Sequence, residues 1–228
     1  MRSGSIGHHI SSQFNLELED IHDKVLAMGG LVEQQFKFAV QALINGDIAL
    51  AEKVIHQANQ VDDYEISINQ ECSEILARRQ PEAFDLRMLI IIIKTITELQ
   101  RIGGIVVHIA SRAIHNCDNE KKFESYLEVQ HMYDLVKDML HAALDTYANL
   151  KNDYIPDVTA QQNNVNREYK IIFQQLVARM MQDNHSIKHA MNVMFTVRDI
   201  ERIAENAVHI CKNVIYLIYG EYADDGCR

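Results

Sequence analysis

Apolar residues recur at three- and four-residue spacing along almost the whole chain, and no sustained apolar–polar alternation marks a strand. Helix breakers are scarce, with 2 prolines and 9 glycines in 228 residues. A chain patterned this way folds as long amphipathic helices, and what remains open is how they are divided.

The punctuation is sparse but legible. NGD at 45–47 is a tight turn whose Asp47 suits the cap of the next helix. Pro81 suits the first turn of a helix, where its missing N–H costs nothing. HNCDNEKK (115–122) is the longest polar interruption, and Asn152–Pro156 and QDNHS (182–186) break the later segments. The spacing predicts helices near 11–44, 47–79, 82–114, 123–151, 157–181 and 186–219. The Gly29-Gly30 pair inside the first of these suits a close helix contact.

The two halves also look like copies. QRIGGIVVHI lies opposite ERIAENAVHI at an offset of 101 residues (Arg101 to Arg202), and ILARRQ (75–80) lies opposite LVARMM (176–181) at the same offset. VDDYE (61–65) matches VNREY (165–169) at an offset of 104 (Val61 to Val165). A repeat of that length means duplicated domains rather than a solenoid of short units. The expected fold is all-α, six long helices arranged as two tandem antiparallel three-helix bundles. They span 11–114 and 123–220, joined by a linker at 115–122, with a flexible leader at 1–10 and a tail at 221–228.

Composition narrows the function. A net charge of −10 argues against a nucleic-acid binder that neutralises phosphates and against direct adsorption to an anionic membrane. The leader lacks the apolar stretch of a signal peptide. MLIIIIKTI (88–96) is too short for a bilayer span, which needs about 20 residues. Cys72, Cys117, Cys211 and Cys227 are scattered and form no CxxC pair, as expected of reduced thiols in the cytoplasm. Nucleotide, hydrolase and metalloprotease motifs are missing, and the Glu-x-x-His pair Glu128 to His131 falls on the fourth helix, with no such pair at the matching position of the first. No enzyme is expected.

The candidate chemistry is carboxylate chemistry. Glu201 and Glu205 lie one turn apart on a helix, flanked by Arg198 and Arg202, and like charges so spaced need an offset. An ordinary solvated face supplies one, and a hard cation supplies another. In the first half the equivalent helix carries Gln100 and Gly104 instead, but the helix before it offers Asp62 and Glu65, where the second half has Asn166. Each potential site is partial. Asp85 and Arg87 could pair across the bundle or bind a partner, although first-turn acids complementing the helix dipole explain Glu82 and Asp85 as well. No basic, glycine-rich nest for an anion is visible, so phosphate itself is not expected to bind.

ISSQFNLELEDI and LAMGGLVEQQ in the first helix, ILARRQPEAFDLR, REYKIIFQQLVARMMQD, RDIERIAENAVHI and the terminal VIYLIYGE together carry a family likeness. The chain resembles the PhoU family of phosphate-signalling regulators, colinearly from about His9 to Glu221. The resemblance implies a cytoplasmic, non-enzymatic adaptor of two three-helix bundles, often a homodimer, that reaches the membrane only indirectly. Its implied partners are the ATPase subunit of a phosphate ABC transporter and a phosphate-sensing histidine kinase. Through them it would report phosphate sufficiency and negatively regulate uptake and the phosphate-starvation regulon. It also implies acidic motifs able to hold a metal ion such as iron, zinc, manganese or magnesium.

The family's third-helix motif looks like D-x-E-R-I-G-D. The first copy here, Glu98 to Gly104, has lost its central Glu and final Asp. The second, Asp199 to Glu205, keeps acid at all three places. A metal is therefore expected at the second bundle on Glu201 and Glu205. Asp199 would be a separate contributor, because it lies about 200° around the helix from Glu201. Asp62, Glu65 and Glu98 form a weaker, degenerate first-repeat site. The alternative readings are a PhoU-like paralogue with another partner, or a metal-binding carboxylate protein of storage or redox type.

Overall fold

The computed structural model describes residues 6–79, 81, 83–115, 126–151 and 155–221, with side chains from residue 14 onward except at 155 and 156. Among the described residues there are six α-helices and no strand: α1 (Ile6–Asn45), α2 (Ile48–Arg78), α3 (Ala83–His115), α4 (Leu127–Asn149), α5 (Ile155–Gln182) and α6 (Ile187–Tyr219). A single 3-10 turn, Asn184–Ser186, precedes α6.

The turns are made by the residues the sequence singles out. Asp47 caps α2, its Oδ1 accepting from the Leu50 N–H at 2.9 Å, directly after Gly46 at φ 68°. Asp183 does the same for the 3-10 turn, accepting from the His185 N–H at 2.9 Å. Several boundaries differ from the expectation, among them α4, which begins at Leu127 rather than near 123, and α5, which begins at Ile155 rather than 157. Helix α1 begins at Ile6, inside the segment read as a leader, and α3 begins at Ala83, so Pro81 stands ahead of the helix rather than in its first turn. Most of the proposed linker, from residue 116, lies outside the described residues, as do Glu82, Cys117, Cys227 and the tail beyond 221.

Helices α1, α2 and α3 pack on one another, and α4, α5 and α6 do the same. The two sets meet chiefly through α3 against α6, with a smaller contact of α1 on α4. Helices α3 and α6 are therefore inner helices, covered on several sides, and their sequences say so. The isoleucine run of α3 buries Ile91, Ile92 and Ile96 completely, and α6 buries Ile200, Ile203, Ala204 and Ala207. The apolar run at 88–96 is core, and among the described residues no helix is long and apolar enough to cross a membrane.

Cys72 and Cys211 are buried and free, and burial pushes both thiols up to about 12, so they are inert packing groups.

The glycine pair in α1 separates into two roles. A Cβ on Gly29 would lie 2.6 Å from the Leu144 Cδ2 of α4, whereas Gly30 has nothing within 4 Å. Only Gly29 holds the α1–α4 approach. Gly29→Val should therefore destabilise the fold by about 1–3 kcal/mol through overpacking. Gly30→Ala should stabilise it by up to about 1 kcal/mol through helix propensity. Urea unfolding checks both, and equal effects at the two positions would contradict this assignment.

Candidate functional site

Helices α3 and α6 run antiparallel, so each residue near the start of one meets a residue near the end of the other. Glu98 Oε2 stands 3.6 Å from His209 Nδ1, and Arg112 Nη1 stands 2.6 Å from Asp199 Oδ2. Farther along, Lys94 lies over the Tyr216 ring at 5.7 Å, and Arg87 Nε donates to the Leu217 carbonyl at 3.4 Å. Arg87 thus pairs across the bundles, with a carbonyl in the last turn of α6, where a cation also complements the helix dipole.

The central motif of α6 is split between two faces. Asp199 turns toward α3 and is held by Arg112, with Arg202 at 3.7 Å one turn along. Glu201 turns the other way, toward α5. Its Oε2 pairs with Arg198 at 3.0 Å, and Arg198 in turn covers the Tyr169 ring of α5 at 5.5 Å. Asp199 and Glu201 are both buried, while Glu205 is exposed. Burial raises the Glu201 carboxyl above the usual glutamate value; the opposing Arg198 comes next in weight, then Glu205, which raises it further, and Lys170, which lowers it.

The first bundle solves the equivalent position differently. Gln100, which stands where α6 has Glu201, donates from Nε2 to Asp62 Oδ1 on α2 at 3.1 Å. Glu65 is half-buried near Asp62, and burial first, then that neighbour, raises its carboxyl. Glu98 faces the other way, into the seam, with Arg101 at 3.3 Å. In the second bundle the amide sits on α5 instead: Asn166 stands where α2 has Asp62, its Oδ1 accepting from Gln162 at 2.9 Å. Each bundle therefore keeps one carboxylate and one amide across these two positions, on opposite helices.

The PhoU domain family matches residues 25–113 and 129–214, one match per bundle. The chain belongs to the PhoU family. It is 44% identical over 95% of its length to a Pseudomonas putida protein named phosphate-specific transport system accessory protein PhoU homolog, covering 84% of that protein. It is 36% identical over 97% of its length to the Escherichia coli accessory protein PhoU, covering 91% of it. The crystal structure of PhoU from Pseudomonas aeruginosa superposes with a TM-score of 0.88 at 42% identity, covering 91% of this chain and all of the other. A Streptococcus pneumoniae PhoU structure at 24% identity shares the fold, with a TM-score of 0.84.

The PhoU likeness raised the expectation of a metal centre, and the side chains present do not fit one. Asp62 and Glu65 lie on the α2–α3 face, Glu98 and Asp199 in the α3–α6 seam, and Glu201 and Glu205 toward α5. Among the described residues no three His, Cys, Asp or Glu side chains gather where an ion could sit. Asp199 and Glu201 are already neutralised by arginines, and Gln100 occupies Asp62. A hard cation needs several converging oxygens, and neither bundle offers them.

His131, of the Glu128–His131 pair, stands 3.5 Å from Glu168 across α4 and α5. Sequence reasoning did not pair Arg112 or His209 with an acid of the other bundle. His209 lies 10 residues from Asp199 on α6 and Arg112 lies 14 from Glu98 on α3, and each meets an acid of the other helix only through the antiparallel seam.

Two predictions test these placements. Asp199→Ala leaves the Arg112 guanidinium stranded in the seam and should destabilise the protein by about 3 kcal/mol. Arg112→Met with Asp199→Leu should recover most of that loss, and urea unfolding of the three variants reads it. Glu201→Gln should stabilise the fold at neutral pH. The folded state holds a proton on Glu201 more tightly than the unfolded chain, so its ionisation penalty is absent below the ordinary carboxyl value. That penalty grows as pH rises through the raised value and is complete above it. The advantage of the variant should therefore vanish below about pH 4. A gain that persists there would show a cause other than the charge.

Proposed function

We propose that the chain acts as the accessory regulator of a phosphate-specific transport system. In this reading it reports phosphate sufficiency from the transporter to a sensor histidine kinase and holds uptake and the starvation regulon down. The observation that supports the reading is a match across both bundles to proteins named phosphate-specific transport system accessory protein, at 36–44% identity over at least 95% of the chain. Long helices presenting broad faces suit protein–protein contact, and the charged groups described above are engaged with one another rather than arranged around a substrate. The partners in this reading are the transporter's ATPase subunit and the kinase, with the membrane reached only through them and the working form a homodimer in the cytoplasm.

Deleting the gene and measuring phosphatase expression in high phosphate tests the role directly. Derepression is expected, and full repression in the deletion strain would make this chain a paralogue serving another partner. Metal analysis of the purified protein tests the rival storage or redox reading. Stoichiometric transition metal that is lost in a Glu201→Gln/Glu205→Gln double variant would favour the rival.

A further inference from the structure

The seam between the bundles is closed at one end and open at the other. The offset of 101 residues that relates the two copies relates Asp199 to Glu98, Arg202 to Arg101, Phe195 to Lys94 and Arg112 to Asn213. At the Asp199 end, Arg112 reaches across to the carboxylate at 2.6 Å, and its guanidinium lies over the Phe195 ring at 6.0 Å.

At the Glu98 end both residues are exchanged. Lysine stands in place of the phenylalanine, and Asn213 is too short to take the part of Arg112. What remains is a hollow of about 330 Å³ between α3 and α6, lined by Lys94, Arg101, His209 and Lys212, with Glu98 and Asn213 deeper in. The volume is in the range of small-molecule sites.

Its electrostatics run against the rest of the molecule. The protein carries a net charge of −10, yet three cations from two helices, Lys94, Arg101 and Lys212, line this hollow beside one carboxylate. Glu98 is engaged by Arg101 at 3.3 Å and approached by His209 at 3.6 Å, so among the described lining residues three cations stand against a single carboxylate. Asn213 is 7% exposed, and its amide nitrogen, a donor, has no hydrogen-bond partner. A buried donor without an acceptor is destabilising, and an acceptor in the hollow would relieve it.

We propose that this hollow is a binding site for a small oxyanion of the phosphate type, either free inorganic phosphate or the phosphoryl group of a small monoester. Arg101 and Lys212 meet the anion's charge from opposite walls, Lys94 closes the outer rim, and Asn213 donates from the floor. Because the site spans both helices, a bound anion ties the two bundles together. This inference does not depend on the adaptor reading.

Calorimetric titration of the full chain with inorganic phosphate, and separately with 5′-AMP as a monoester, tests it against sodium chloride at matched ionic strength. Saturable one-site binding of at least one probe is expected. Tighter binding of phosphate assigns the free ion, and tighter binding of the monoester assigns the phosphoryl group. Lys212→Gln should weaken binding about tenfold or more, as loss of a charge-assisted hydrogen bond does. Thr97→Glu, which adds a carboxylate to the same wall from an independent position, should abolish it. Lys137→Gln, remote on α4, should leave it unchanged. Circular dichroism confirms that each variant folds. Absence of saturable binding by either probe, affinity unchanged in folded Lys212→Gln and Thr97→Glu variants, or an effect that chloride reproduces would overturn the proposal.

Discussion

The contact between Arg112 and Asp199 holds the two halves of this molecule in register. Two three-helix bundles, each with its own core, can slide or rotate against one another unless something fixes the seam, because apolar packing is not directional. The Arg112–Asp199 ion pair, between side chains largely withdrawn from water, is specific, because its two charges face each other in one registry only. Its strength as a stabiliser is secondary, since desolvating both ions offsets much of their attraction. What it does is penalise every other registry, in which a buried aspartate would face no cation. The smaller features of the seam, from Glu98–His209 to Arg87 on the Leu217 carbonyl, follow from the alignment it sets.

Duplication then explains why the two carboxylate faces differ without either being broken. A pair of acids on facing helices needs a cation between them, whereas one acid and one amide can satisfy each other directly. The first bundle reached that state with Asp62 on α2 and Gln100 on α3, which bond at 3.1 Å. The second has its amide, Asn166, on α5 and its acid, Glu201, on α6, with Arg198 supplying the charge. The exchange went in opposite directions in the two copies. Neither copy is simply the broken form of the other: each keeps one acid, held by an amide in the first bundle and by an arginine in the second.

The sequence was most informative where the physics is local. Helix number, the Asp47 cap and the inward faces of α3 and α6 follow from spacing and turn chemistry, because a turn is set by a few adjacent residues. The repeat pointed to paired bundles for the same reason. Spacing also separated Asp199 from Glu201 correctly, since helical geometry alone puts them on nearly opposite faces. It could not say which neighbour each face would meet. Arg112, His209 and Gln100 become partners of acids on other helices through antiparallel packing, and their own helix does not say which acid each will meet. Gly29 and Gly30 make the same point in miniature: identical residues, one against Leu144 and one facing open space.

The same limit explains why a basic hollow was invisible to an inspection of motifs. Lys94 and Arg101 lie seven residues apart, and Lys212 follows His209 by three, which is unremarkable on any charged helix. Neither pair makes an anion nest alone. Antiparallel packing sets them against one another, and the exchange of Arg112 for Asn213 leaves the space between them open. A duplicated fold offers this economy: one copy of a seam can carry the ion pair that fixes registry, which frees the other copy from that task. Had both ends kept the arginine, the seam would be closed twice and would hold nothing. Had both ends kept the asparagine, no buried ion pair would set the alignment. Asymmetry between the copies is thus the condition under which one seam can fix the bundles at one end and remain open at the other.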